Sequence, residues 1–403
     1  MKKSEVSRNI PLMYFIGSLM WGRFFIPVLA LFYIASQVPI GQFAIIMSTF
    51  ALFTLLFEIP SGVVADLLGK KKALLMGRFC YIIEIFMIAF FNGFWVFLIA
   101  KMISGAGVSL GSGTDSALLF DTLKKEKREK DYKKVSGRLK AICNLSSAFV
   151  FIIGAYLFSL HYKLPAIVSL PFISLGFVLT YFLKEPYPNG KKITLKNSFK
   201  HLKEGLIYFK NSNFVKFISL ISLFSVAVIS VMLSLSSVYF ENIFIPISLM
   251  GVLAFISSIM MAISSKKAHG VEKKIGEKKS LFLIQFIILI AIFGMAILIP
   301  FYGVVFLFLI SIVAGFSGVI IDDYVNRHIE SSHRTTLLSI KNFFNNIGIF
   351  LLFPIVGYLI DIKSMQFSFM FLGLVAFVGY FIAWKFSKKW NINLSNNSKN
   401  NNI

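Results

Sequence analysis

The stretch Gly62-Val63-Val64-Ala65-Asp66-Leu67-Leu68-Gly69-Lys70-Lys71-Lys72 lies between two long apolar runs, and its reading decides the fold. It sets one carboxylate, two glycines and a basic cluster in a short connection between segments long enough to cross a bilayer. Apolar sequence on both sides needs only a neutral turn there, so the charge has a task. Gly62 is expected to let the backbone of the second span approach a neighbour closely. Gly69 is expected to support the turn, with Lys70 and Lys71 marking the cytosolic face.

The surrounding composition is that of a membrane protein. The chain is 57% hydrophobic with a mean hydropathy of +0.78, whereas soluble domains average roughly 45–50% apolar residues. Apolar runs of about 20 residues recur along its length, each sufficient to cross a ~30 Å hydrocarbon core as a helix. The lipid bilayer is therefore the first partner to assign.

A formal net charge of +23 would suggest nucleic acid in a soluble chain. Here the basic residues fall in alternate loops. Leu123 to Lys140 carries nine basic and three acidic residues, and further clusters occur at Lys2 to Arg8, Lys191 to Lys210, Lys266 to Lys279 and Lys385 to Lys389. On the opposite side only Lys163 and Lys363 are expected. By the positive-inside rule both termini are cytoplasmic, and the plasma (inner) membrane is the expected location; the charge is a topology signal and excludes nucleic acid as the partner. Cys80 and Cys143 sit on different spans and suggest neither a disulfide framework nor a metal site. No cleavable signal peptide is evident, since the first apolar run is too long for one.

Breaks at charged, Gly and Pro residues divide the chain into twelve spans. Six lie near 11–35, 41–65, 72–91, 95–120, 138–160 and 164–183, and six near 214–240, 246–265, 280–299, 302–325, 337–360 and 365–386. The expected organisation is an N-terminal six-helix bundle over 1–183, a cytoplasmic central loop over 184–213, a C-terminal six-helix bundle over 214–390, and a disordered Asn/Ser-rich tail over 391–403. Leu68-Gly69-Lys70-Lys71-Lys72-Ala73-Leu74-Leu75 is similar to Ile275-Gly276-Glu277-Lys278-Lys279-Ser280-Leu281-Phe282, 207 residues later, as a parallel repeat of two bundles requires. The second copy has Lys273 where the first has Asp66, so only the first half is expected to keep the acidic element.

The pattern G-x-x-x-D-x-x-G-[KR]-[KR] resembles the signature between helices 2 and 3 of the major facilitator superfamily of secondary transporters. The resemblance implies an all-α integral membrane fold of twelve helices in two six-helix bundles around a central cavity. It implies that Asp66 engages the start of helix 11, where the positive end of the helix dipole favours a carboxylate. It also implies that the loop bases pair with an acid at the end of helix 4, for which Asp121 is the candidate. An ordinary basic loop with a capping Asp is the plain alternative. Lys101-Met102-Ile103-Ser104-Gly105-Ala106-Gly107 is similar to the family's R-x-x-x-G-x-G signature, with Lys in place of Arg, and Gly111 and Gly113 extend a face suited to tight packing. Lys101 either serves the transport path or snorkels to the outer interface. The glycine-proline pair of proton-coupled drug antiporters is absent from helix 5.

Ionisable residues inside spans point to the transport path, because each costs roughly 2.5–3.5 kcal/mol on translocon scales unless paired or hydrated. Arg23, Glu58, Glu84 and Asp115 meet that description, all in the first half. Arg23 has Glu58, Glu84 or Asp115 as possible partners, and a structural ion pair competes with proton coupling or substrate binding. In the second half, Gln285, Asn342, Asn345 and Asn346 are weaker candidates. Asp322 and Asp323 stand near the cytosolic mouth, where a gate salt bridge to Arg327 or Arg334 is expected. Pro354 and Gly357 would let helix 11 bend.

The sequence thus describes a non-enzymatic transporter with no phosphate loop, no resident cofactor and no metal. A small-molecule substrate, a coupling ion (protons first) and a monomeric state complete the expectation. Efflux of amphipathic compounds, cationic ones among them, is the first reading, import of a nutrient or metabolite the second, and a non-transporting membrane sensor the third.

Overall fold

The computed structural model describes residues 5–187, 210, 212–328 and 334–389. The described residues are helical, with no strand. The expected tail and most of the central loop lie outside them.

Eleven helices among the described residues are long and apolar enough to cross a membrane. The twelfth span is the first one, and it is interrupted. It consists of α1 (Asn9–Met20), a short 3-10 turn (Ile26–Val28) and α2 (Leu29–Ala35). Pro27 explains the break: it has no N–H to give the carbonyl four residues earlier, which is that of Arg23, and its ring crowds that carbonyl. Ile26 N–H reaches the Arg23 carbonyl instead, in a tighter turn. Phe24 N–H donates to Ser169 Oγ at 2.9 Å, so a neighbouring helix supplies the partner the broken helix lost. Gly154 lies directly against the Phe24 carbonyl, where a Cβ would overlap it.

The second and third spans are α3 (Ile40–Leu68) and α4 (Lys70–Phe90), joined at Gly69. The fourth is also interrupted. Its halves are α5 (Phe94–Gly111) and α6 (Thr114–Lys125), with Ser112 extended and Gly113 at φ +75° between them. Spans five and six are α7 (Tyr132–Leu160) and α8 (Leu164–Tyr181).

The second half opens with α9 (Asn213–Ile221), a π-helical turn at Ser222–Val226 and α10 (Ala227–Ser234), followed by the short α11 (Ser236–Asn242). The remaining helices are α12 (Ile247–Ile275), α13 (Glu277–Ala296), α14 (Val304–His328), α15 (Arg334–Ile362) and α16 (Met365–Lys389). Serines on the seventh span serve packing: Ser230 and Ser234 bond back to the carbonyls of Val226 and Ser230, and Ser225 Oγ donates to Gln285 Oε1 at 2.9 Å.

The chain groups into two compact units. One comprises Met1–Val38, Thr49–Phe199 and Ile247–Phe255; the other comprises Pro39–Ser48, Lys200–Pro246 and Ile256–Ile403. Within the first, Met13, Ile16, Leu74, Leu118, Leu119 and Leu123 form a buried apolar cluster at one end of the helices. At the other end, Lys163 Nζ donates to the carbonyls of Ile88 and Phe91, both at 2.7 Å. Those carbonyls belong to the end of α4, which has no intrahelical donors left for them.

The duplication read from sequence has a backbone counterpart. Gly69 adopts φ 93°, ψ 152° and Gly276 φ 84°, ψ 164°, a conformation that a side chain disfavours. The acidic element is not confined to the first half, however. Glu272, one position before Lys273, is buried, with His269 3.8 Å away, whereas Asp66 is exposed.

Candidate functional site

The two interrupted spans enclose a cavity of about 520 Å³ in the first unit, in the size range of small-molecule sites. Its wall includes Trp21 and Arg23 from the break in the first span, Arg78 and Tyr81 from α4, Asp115 from the first turn of α6, and Cys143 from α7. Unwound backbone at membrane depth is tolerated where it lines a cavity or is buried in protein. Both breaks here border the same space.

Arg78 donates from Nη2 to Asp115 Oδ1 at 3.0 Å, and its other terminal nitrogen donates to Thr180 Oγ1. The Arg78 side chain is 7% exposed and that of Asp115 48%. The carboxylate therefore faces the cavity while its partner is held in the protein. Asp115 also stands at the N-terminal turn of α6, where helix polarity favours negative charge. Arg23 lays its guanidinium over the Tyr81 ring, 3.9 Å from the centroid, and its Nε is buried without a hydrogen-bond partner.

Glu84 is fully buried. Lys101 Nζ donates to its Oε1 and Ser104 Oγ to its Oε2, both at 2.6 Å. Lys101 does not snorkel to the outer interface; it is 7% exposed and points to Glu84. Both carboxylate oxygens are thus occupied by donors within the protein, an arrangement that holds α4 to α5. Among the three partners weighed for Arg23, Glu84 and Asp115 have their hydrogen bonds elsewhere. Glu58 is half-buried, and its backbone carbonyl accepts from Ser61 Oγ.

Around the loop between α3 and α4, Lys70 Nζ is paired with Asp121. The backbone N–H of Lys71 donates to Glu185 Oε2 at 2.9 Å, with that of Lys70 near Oε1, so Glu185 satisfies the start of α4. Lys71 Nζ lies 4.7 Å from the centre of the Tyr181 ring. A Cβ at Gly62 would meet nothing within 4 Å among the described residues. Gly105 and Gly107 do pack tightly, against the backbone of Phe50 and of Gly77, but Gly111 and Gly113 face open space. Their use is to end α5 and turn the chain at φ +75°. Asp323 lies near His269 and Glu272, with potential ligand atoms of the three within 4.8 Å. The side chains of Asp322, Arg327 and Arg334 lie outside the described residues, as do those at the start of helix 11, which Asp66 was expected to engage.

Arg78 and Glu185 were not singled out from sequence. Arg78 carried a signal, an Arg at the ninth position of a membrane-spanning helix, that its closeness to the basic loop obscured. The residue 207 positions after Arg78 is Gln285, whose Nε2 donates to the Ala376 carbonyl at 2.8 Å. The repeat therefore pairs a charged, cavity-lining position with a neutral one satisfied inside the protein.

A family model of the Major Facilitator Superfamily matches residues 12–330. Among curated proteins, an uncharacterized transporter of Buchnera aphidicola subsp. Schizaphis graminum is 27% identical over 157 residues, 38% of each chain. One from Buchnera aphidicola subsp. Acyrthosiphon pisum is 30% identical over 21% of each. The chain thus aligns with well under half the length of these relatives. Similar solved structures include the nucleoside transporter NupG (TM-score 0.75, 12% identity, 97% of this chain and 100% of that one). A D-xylose-proton symporter also matches (TM-score 0.73, 14% identity, 93% and 96%). At these identities the likeness shows the fold.

Proposed function

Because the chain belongs to the Major Facilitator Superfamily, we propose that this secondary transporter carries a small molecule in the cavity between its two broken spans, coupled to protons at Asp115. The observation that carries the reading is the half-exposed Asp115 carboxylate beside a buried Arg78, at the meeting point of two interrupted helices. Discontinuous helices mark substrate and ion sites in secondary transporters. The basic loops support a reading with both termini in the cytoplasm and the protein in the plasma membrane.

The geometry favours symport over the exporter first read from sequence. With Asp115 ionised, Arg78 is engaged. A proton on Asp115 removes that attraction and frees the guanidinium for a polar group of the cargo, so proton and cargo bind together. An inward proton gradient then drives uptake by alternating access. In an antiporter of cations, proton and cargo would compete for the carboxylate instead. Glu84, with both oxygens held, is assigned to the scaffold.

The test follows accumulation of candidate metabolites in energised cells expressing wild-type protein or Asp115→Asn, with and without an uncoupler. Uncoupler-sensitive accumulation lost in the variant is the expected result. Uncoupler-sensitive depletion of a compound from the cells would establish export instead, and accumulation indifferent to both changes would overturn proton coupling.

A further inference from the structure

We infer that the cargo is an amphipathic organic anion whose charged group is held between Arg23 and Arg78. The inference rests on the reading that this cavity holds the cargo, and it names the chemistry that the cavity selects. Three cations, Arg23, Arg78 and Lys101, stand in or beside the cavity against two carboxylates, Glu84 and Asp115, a surplus of one positive charge. Lys101 is matched by Glu84 at 2.6 Å and Arg78 by Asp115 at 3.0 Å; Arg23 stands within electrostatic reach of Glu84 and interacts with Tyr81 but has no hydrogen-bonded carboxylate among the described residues. Its Nε makes no hydrogen bond although it is out of water, and a buried donor of that kind is rarely left unmatched.

Tyr81 supports the Arg23 guanidinium from one face. Stacking fixes the plane of an Arg side chain and keeps its edge donors available for an anion's oxygens. Most of the remaining wall is apolar or aromatic, with Met20, Trp21, Ile26, Leu74 and Val108, which suits a hydrocarbon or aromatic body attached to the anionic group. A cationic cargo would meet a surplus of its own sign in a site where water screens poorly. When a proton occupies Asp115 the surplus rises to two, so proton uptake strengthens anion binding.

Cys143, in the cavity wall, gives a test that needs no knowledge of the natural cargo. The full-length chain, purified in a non-ionic detergent with Cys80→Ser, retains Cys143 as its single thiol. Its labelling is timed with a negatively charged methanethiosulfonate (the ethylsulfonate), a positively charged one (the ethyltrimethylammonium) and an uncharged one (the methyl reagent). Each rate is divided by that on a small free thiol, so the reactivity of the reagent cancels, and the ratio between reagents cancels the reactivity of Cys143. The anionic reagent is expected to be favoured over the cationic one by roughly tenfold or more. Arg23→Gln should cut that preference by at least about threefold and Arg23→Lys should keep most of it. The basic loops are common to all variants, so only the difference at Arg23 reports the site.

A cationic preference, or an anionic preference that Arg23→Gln leaves intact in a monodisperse protein, would overturn the anion assignment and leave the cavity as the transport site. Failure of even the uncharged reagent to reach Cys143 would overturn the placement of the site in this cavity, and the anion inference with it.

Discussion

Arg78 and Asp115 face each other across 3.0 Å at the point where the fourth span is broken, and of the two cavity-lining groups the carboxylate is the more exposed, 48% against 7%. An ion pair with one buried and one accessible partner is a natural proton switch. The accessible group changes charge, and the buried group is then released to a ligand or left unpaired. Asp115→Asn should leave a permanently released Arg78. Facilitated exchange of cargo should persist, and accumulation against a gradient should fall at least about tenfold. Arg78→Gln should weaken cargo binding while proton gradients still form. Counterflow and uphill accumulation, measured side by side, separate the two defects.

The Glu84–Lys101 pair should behave as structure. Removing either partner alone strands a buried charge and should destabilise the protein by about 3–5 kcal/mol. Glu84→Leu combined with Lys101→Met should recover most of that loss, because two apolar side chains leave no charge without a partner. Thermal unfolding of the detergent-solubilised variants gives the comparison. Transport by the double variant at near wild-type rate would confirm that the pair is outside the proton path.

Three glycines of the first signature and its repeat should respond differently to alanine. Gly69→Ala and Gly276→Ala place a side chain at φ 93° and 84° and should each cost about 1–3 kcal/mol. Gly62 is helical with open space at its Cβ position, and Gly62→Ala should raise stability by roughly 0.5–1 kcal/mol. Loss of transport by a stabilised Gly62→Ala protein would show that another conformation needs the glycine.

Lys163, in the turn before α8, predicts a pH dependence. Burial pushes its pKa down to about 8 from the ordinary 10.5, against the two carbonyls and the aromatic rings that favour the ammonium. Between those values the unfolded chain holds more protons than the folded one, so stability rises with pH across that window. The stability of wild type minus that of Lys163→Met should therefore rise from pH 8 towards pH 10, whichever protein is the more stable at pH 8. A fall in that signed quantity over the range would contradict the assignment.

Much of this fold was legible because a bilayer allows few solutions. Twenty-residue apolar runs separated by basic loops leave helices as the reading, and the repeated Gly-Lys-Lys element marks the duplication. The site was less legible for physical reasons. Sequence spacing placed Arg23, Glu84, Lys101 and Asp115 at membrane depth but could not sort them into pairs, because pairing depends on helix rotation. The break at Arg23 follows from Pro27 four residues later, a signal present in the sequence and passed over. Gly111 and Gly113 have the spacing of a packing face in sequence, whereas in the fold they form the interruption that brings Asp115 to the cavity.

Protons and cargo are proposed to meet at Asp115 and Arg23 in the first half, and proton flux into vesicles holding the purified protein and an internal pH dye reports on that meeting. A panel of amphipathic organic anions and cations is added outside, with no pH gradient imposed. At least one anion should drive internal acidification in the wild type, an effect abolished by Asp115→Asn and by Arg23→Gln and retained by the Glu84→Leu, Lys101→Met double variant. Acidification that survives both single substitutions, or that only cations elicit, would contradict the account.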